Sequence, residues 1–66
     1  MPSVGERVLE VIHREPGISD AAIAREPGLR HQQVNGEARH LANKGLIERR
    51  SGSAPDGSIG NWPTGA

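Results

Sequence analysis

The sequence predicts a small α+β domain, mostly α, in which three helices precede a C-terminal two-stranded β-hairpin. Three observations carry that expectation. Apolar residues recur at helical spacing over about 3–15 and 31–44. The tetrapeptide Arg-Glu-Pro-Gly occurs at 14–17 and again at 25–28, each time followed by Ile or Leu, and reads as two similar helix stops. Its flanking sequences do not match, so a duplicated repeat is the weaker account. After Gly45 the pattern changes to Leu46-Ile47-Glu48-Arg49-Arg50, which reads as a strand.

The first helix, about 3–15, opens on Ser3-Val4-Gly5-Glu6, a capping box in which hydroxyl and carboxylate satisfy orphan backbone N–H groups. Val4, Val8, Val11 and Ile12 form its apolar stripe, widened by Leu9, and Pro16-Gly17 stops it. The second helix, about 19–26, starts at Ser19, a good N-cap, with Asp20 well placed in the first turn. Ile18 and Ile23 have the spacing of a hydrophobic staple, and Pro27-Gly28 ends the segment. The third helix, about 31–44, ends at Gly45, a natural C-terminal stop. Val34, Ala38 and Leu41 point inward, while Gln32, Gly36, Arg39 and Asn43 share the opposite face, with Gln33, Asn35 and His40 flanking it. The hairpin covers about 46–62, with Pro55-Asp56-Gly57 at the tip and a return from Ile59 to Trp62. Ile59 and Trp62 do not share one face of a strand, and 63–66 is expected to fray.

At 66 residues the chain has room for one domain, 1–66, with one small core. A chain of this size buries only about 60% of its unfolded surface, so its stability is marginal. With no cysteine, disulfides and thiolate-ligated zinc are excluded. Helix packing, a homodimer or a larger parent protein are left to supply stability. No apolar run approaches the ~20 residues of a membrane span, and the N-terminus lacks the layout of a signal peptide. A soluble, cytoplasmic chain is expected.

Formal net charge is zero, yet its distribution is uneven. Residues 1–29 carry Arg7, Arg14 and Arg25 against Glu6, Glu10, Glu15, Asp20 and Glu26. From 30 to 50, Arg30, Arg39, Lys44, Arg49 and Arg50 face only Glu37 and Glu48. A local basic patch matters more than the sum for binding a polyanion, although a normally solvated surface would look similar.

The order helix, short helix, tight turn, polar-faced helix and hairpin resembles the winged helix-turn-helix domains of bacterial regulators of the MarR type. The resemblance is carried by Ile18-Ser19-Asp20-Ala21-Ala22-Ile23-Ala24, by Pro27-Gly28-Leu29, and by Val34, Ala38 and Leu41 running into Gly45-Leu46-Ile47-Glu48-Arg49-Arg50. It covers roughly residues 4–62. It implies a double-stranded DNA-binding module with the third helix in the major groove and the wing on the flanking backbone. Two positions depart from the pattern: Arg30, where Ser or Thr is usual, and Pro27, where an apolar residue such as leucine is usual.

Carried over by position, Gln32, Gln33, Asn35, Arg39 and Asn43 become candidate base contacts. Their chemistry suits the task independently, since Gln and Asn pair with adenine and Arg with guanine in the major groove. Gly36, costly by about 1 kcal/mol in a helix, is explained either by close approach of the backbone to DNA or by packing or drift. Candidate phosphate contacts are Arg30, Lys44, Arg49 and Arg50. Arg30 is a poor N-cap at the positive end of a helix dipole; a phosphate there would resolve the conflict, and so would a cap from Gly28 with Arg30 in water. Arg49 and Arg50 point to opposite faces of their strand, toward phosphate or toward paired surface charges. Trp62 reads as core or interface in preference to a stacking platform for bases.

Nothing points to an enzyme. His13, His31 and His40 are scattered, and no nucleophile, paired-carboxylate pattern or phosphate loop is present, so neither metal nor cofactor is expected. RNA recognition by stacking would need aromatic platforms, and Trp62 is the sole aromatic. The alternative is a winged-helix domain that binds protein and not DNA.

Overall fold

In the computed structural model, which describes residues 2–64, the first helix, α1 (Val4–Arg14), begins on the reciprocal cap written into its sequence. The Glu6 N–H donates to the Ser3 hydroxyl at 3.1 Å, and the Ser3 N–H donates to the Glu6 carboxylate at 3.0 Å. Val8, Val11 and Ile12 are buried from this helix, each worth about 1.5–3 kcal/mol on leaving water.

The first Arg-Glu-Pro-Gly turns the chain through Gly17, whose φ of +89° suits glycine alone. A Cβ on Gly17 would also lie 2.8 Å from the Trp62 ring, so steric room and dihedral make the same demand. A strand of two residues, β1 (Ile18–Ser19), follows and leads straight into α2 (Asp20–Ile23), capped by the Ser19 hydroxyl on the Ala22 N–H. This helix is shorter than the 19–26 expected. From Arg25 to Glu26 the chain tightens into turns, with Arg25 N–H on the Ala22 carbonyl and Glu26 N–H on that of Ile23. Glu26 precedes proline, which disfavours the helical backbone there. Arg7 of α1 reaches the Pro27 carbonyl at 2.5 Å and ties down this second turn.

The third helix, α3 (His31–Asn43), buries Val34, Ala38 and Leu41 against α1 and α2. It ends in a Schellman motif: Gly45 N–H bonds the Ala42 carbonyl and Leu46 N–H that of Leu41, with Gly45 at φ +77°. The wing strands are β2 (Ile47–Arg50) and β3 (Gly60–Pro63), antiparallel, with Arg49 opposite Asn61 and Ile47 opposite Pro63. β3 also pairs with β1 through Ile18–Asn61 and Ser19–Gly60, so the sheet has three strands in the order β1-β3-β2. The hairpin alone was expected.

β1 reaches only Gly60 and Asn61, which leaves Pro63 paired on one side, where a missing N–H is tolerated. Pro63 is therefore in the sheet, not in a frayed tail, and the Thr64 hydroxyl donates to the Gly45 carbonyl at 2.7 Å. The rest of that expected tail, 65–66, lies outside the described residues. One core joins the three helices with β1 and β2: Val8, Val11, Ile12, Ile18, Ile23, Leu29, Val34, Ala38, Leu41 and Ile47.

Candidate nucleic-acid interface

The inward stripe of α3 fixes which of its side chains face out. With Val34, Ala38 and Leu41 buried, Gln32, Gln33, Gly36, Arg39, His40 and Asn43 are exposed on one continuous surface. No carboxylate lies on it; the single acidic residue of the helix, Glu37, is half-buried on the side of Gly5 in α1. A 13-residue helix is about 20 Å long, and a major groove about 12 Å wide admits one. At Gly36 a Cβ would meet nothing within 4 Å among the described residues, so packing among them does not account for the glycine.

Arg30 occupies the N-cap of α3 in extended conformation, and its side chain makes no capping bond. No acidic residue stands in the first turn. The Val34 N–H bonds the Arg30 carbonyl, which leaves the N–H groups of His31, Gln32 and Gln33 directed out of the helix start. Positive helix end and exposed guanidinium thus sit together, beside a shallow concavity lined by Arg30, Gln32 and Gln33. Among the described residues Arg30, Arg39 and Lys44 form no ion pair.

Arg49 is placed differently from its expected role. Its side chain is only 14% exposed, and its guanidinium straddles the Asp20 carboxylate: Nη1 donates to Oδ1 at 2.9 Å and Nη2 to Oδ2 at 3.1 Å. Nη1 also donates to Asn61 Oδ1 at 2.9 Å, across the β2–β3 register that sets the two residues opposite each other. Asn61, fully buried, donates to Asp20 Oδ1 at 2.8 Å and to the Ile18 carbonyl at 2.9 Å. Asn35, half-buried at the edge of α3, donates to Asp20 Oδ2 at 2.9 Å. One carboxylate therefore joins α2, α3 and both wing strands. Burial pushes the Asp20 carboxyl up, but hydrogen bonds from Arg49, Asn61 and Asn35 together with the Arg49 charge outweigh it and hold the group below its ordinary value.

The sequence reading missed this knot. Asp20 looked like an ordinary first-turn acid, and Asn61 drew no attention. Asn is depleted in strands, so an Asn inside the short return strand was the one available signal.

Arg50 stays exposed, as strand alternation requires, yet it has partners: Glu48 at 2.6 Å and the Trp62 ring, 5.3 Å from guanidinium to centroid. Trp62 is half-buried over Gly17 and donates its ring N–H to Ser53 at 2.9 Å, so it closes the base of the wing. Lys44 is exposed at the C-terminal end of α3. The expected site residues thus divide in three. Gln32, Gln33, Gly36, Arg39 and Asn43 share one open surface with Arg30 and Lys44 at its ends, Arg50 stands on the wing, and Arg49 and Asn35 enter the knot.

A three-helix winged helix-turn-helix whose third helix presents an open outer face without carboxylates is the architecture of a DNA-binding transcription regulator. The model of the MarR family matches residues 7–57, most of the chain, and the protein belongs to that family. The family is one of regulators, not of enzymes. The match runs from α1 into the wing loop and stops short of β3, so Asn61 and Trp62 fall outside it. Comparison with curated proteins and with solved structures gives no match. Among the described residues no helix is long and apolar enough to cross a membrane, and no cluster of His, Asp or Glu could hold a metal ion.

Proposed function

We propose that this chain is a sequence-selective double-stranded DNA-binding module. It acts as a transcription regulator or as the DNA-reading domain of a larger protein, in the cytoplasm, with α3 in the major groove and the wing on the backbone. The observation that carries the reading is the outer face of α3: Gln32, Gly36, Arg39 and Asn43 are polar or minimal, exposed and free of carboxylates. Gln32, Gln33, Asn35, Arg39 and Asn43 read base edges, while Gly36 lets the helix backbone approach the groove. Arg30, acting with the open N–H groups of the first turn, takes one phosphate, and Lys44 and Arg50 take others. Arg49 enters as the brace of the wing, with its charge spent on Asp20. A homodimer would place two such helices on a palindromic site.

An amide-shift titration with mixed duplex DNA at low salt tests the proposal. Shifts concentrated on residues 30–43 and the wing, fading as salt rises, are expected. A chain that shows none at high DNA concentration overturns the proposal and leaves the protein-binding winged-helix reading in its place.

A further inference from the structure

The carboxylate of Asp20 has a consequence for base selection. We propose that Asp20 is a positioning residue that fixes the orientation of the Asn35 amide and thereby makes Asn35 select a base bearing an amino group, adenine foremost. This rests on the DNA reading above.

An ionised carboxylate only accepts hydrogen bonds. Asp20 accepts four: from Arg49 Nη1 and Asn61 on Oδ1, and from Arg49 Nη2 and Asn35 on Oδ2. Its acceptor sites are filled, and every neighbour must present a donor. Rotating the Asn35 amide by half a turn would set its oxygen against Oδ2, now 2.9 Å from its nitrogen, and bring two acceptors face to face. Arg49 and Asn61 hold the carboxylate from the other sides, so it cannot swing away to relieve that contact. The amide is locked one way round.

One N–H of Asn35 is spent on Asp20, which leaves the amide oxygen and a second N–H. The oxygen has no hydrogen-bond partner among the described residues. Asn35 lies one turn from Gln32 and from Arg39, at the margin of the exposed face. In the major groove an acceptor meets the amino groups of adenine and cytosine, and adenine adds the N7 acceptor for the remaining N–H. Guanine and thymine offer the oxygen no donor there. Gln32 and Gln33 have no such holder among the described residues and can turn their amides to suit either kind of base.

Selection of bound duplexes from a random library, read by sequencing, tests this with wild type, Asp20→Asn and Asn35→Ala. Wild type should prefer adenine at one position by roughly tenfold, the scale of a good bidentate pair. Asn35→Ala should abolish that preference alone. Asp20→Asn, whose amide can donate or accept, should bring it within about twofold while other positions hold. A preference at that position unchanged in Asp20→Asn, or a profile untouched by Asn35→Ala, overturns the inference and leaves DNA binding standing. Failure of wild type to retain any duplex overturns both. If Asp20→Asn does not fold, the Asn35 side-chain NH2 resonances of free wild type decide. Two well-separated protons with one protected from exchange support the lock, and a pair at ordinary exposed positions overturns it.

Discussion

Two regions meet along α3, and they treat the same residue types in opposite ways. On the outer face Gln32, Arg39 and Asn43 stand exposed with no partner in the described chain. At the half-buried edge Asn35 and Arg49 are bound to Asp20 and Asn61, with every buried polar side chain satisfied among the described residues. An arginine on the outer face keeps its charge for a ligand; Arg49 has surrendered it to the fold. Surface position and not residue chemistry decides between the two uses, and for Asn35 and Arg49 that position is set by partners distant in sequence.

The sharpest way to break the comparison is Arg49→Ala. Removing one member of a buried ion pair costs roughly 3–5 kcal/mol, because Asp20 is left charged and short of donors. A chain of this size has only about 3–10 kcal/mol in total at the usual per-residue stability. Urea unfolding followed by circular dichroism should therefore show a steep fall in the midpoint, reaching unfolding without denaturant where wild type sits at the low end of that range. A variant as stable as wild type that lost only salt-dependent DNA affinity would return Arg49 to the phosphate contacts and erase the distinction.

How much of this was legible depended on range. The caps at Ser3, Ser19 and Gly45, the stops at Gly17 and Gly28, and the stripe of Val34, Ala38 and Leu41 are set by neighbours within a few residues, and all could be read from spacing. The outer face of α3 followed from that stripe by helical geometry alone. Strand β1 could not be read, because two residues show no periodicity and the partner strand lies more than 40 residues away. The knot has the same cause: Asp20 meets Arg49 at a separation of 29 residues and Asn61 at 41. Arg49 and Arg50 look interchangeable in the sequence, yet strand alternation sends one to Asp20 and the other to Glu48 and Trp62.

Arg39→Ala examines the outer face in the same terms. Arg39 is exposed and has no ion-pair partner among the described residues, so folding stability should stay within about 0.5 kcal/mol of wild type. Binding to the preferred duplex should weaken by roughly 1–3 kcal/mol, with selectivity relaxed at one base pair. Competition binding against duplexes varied at that pair reads the effect. An equal loss on every sequence would make Arg39 a phosphate contact, and a loss of stability would place it with Arg49.

Gly36→Ala gives the smallest effect and separates stability from binding most cleanly. Glycine inside a helix costs about 1 kcal/mol relative to alanine, and a Cβ at Gly36 would meet nothing within 4 Å. The free domain should therefore gain about 0.5–1 kcal/mol, seen as a higher urea midpoint with an unchanged slope. If the α3 backbone approaches the groove at this point, the added methyl group is free of contacts only while DNA is absent. Affinity for the preferred duplex should then fall while stability rises, a divergence that simple damage to the fold does not produce. A variant that gains stability and binds DNA as well as wild type would show that Gly36 is tolerated and not required, and would move the closest approach elsewhere along Gln32 to Asn43.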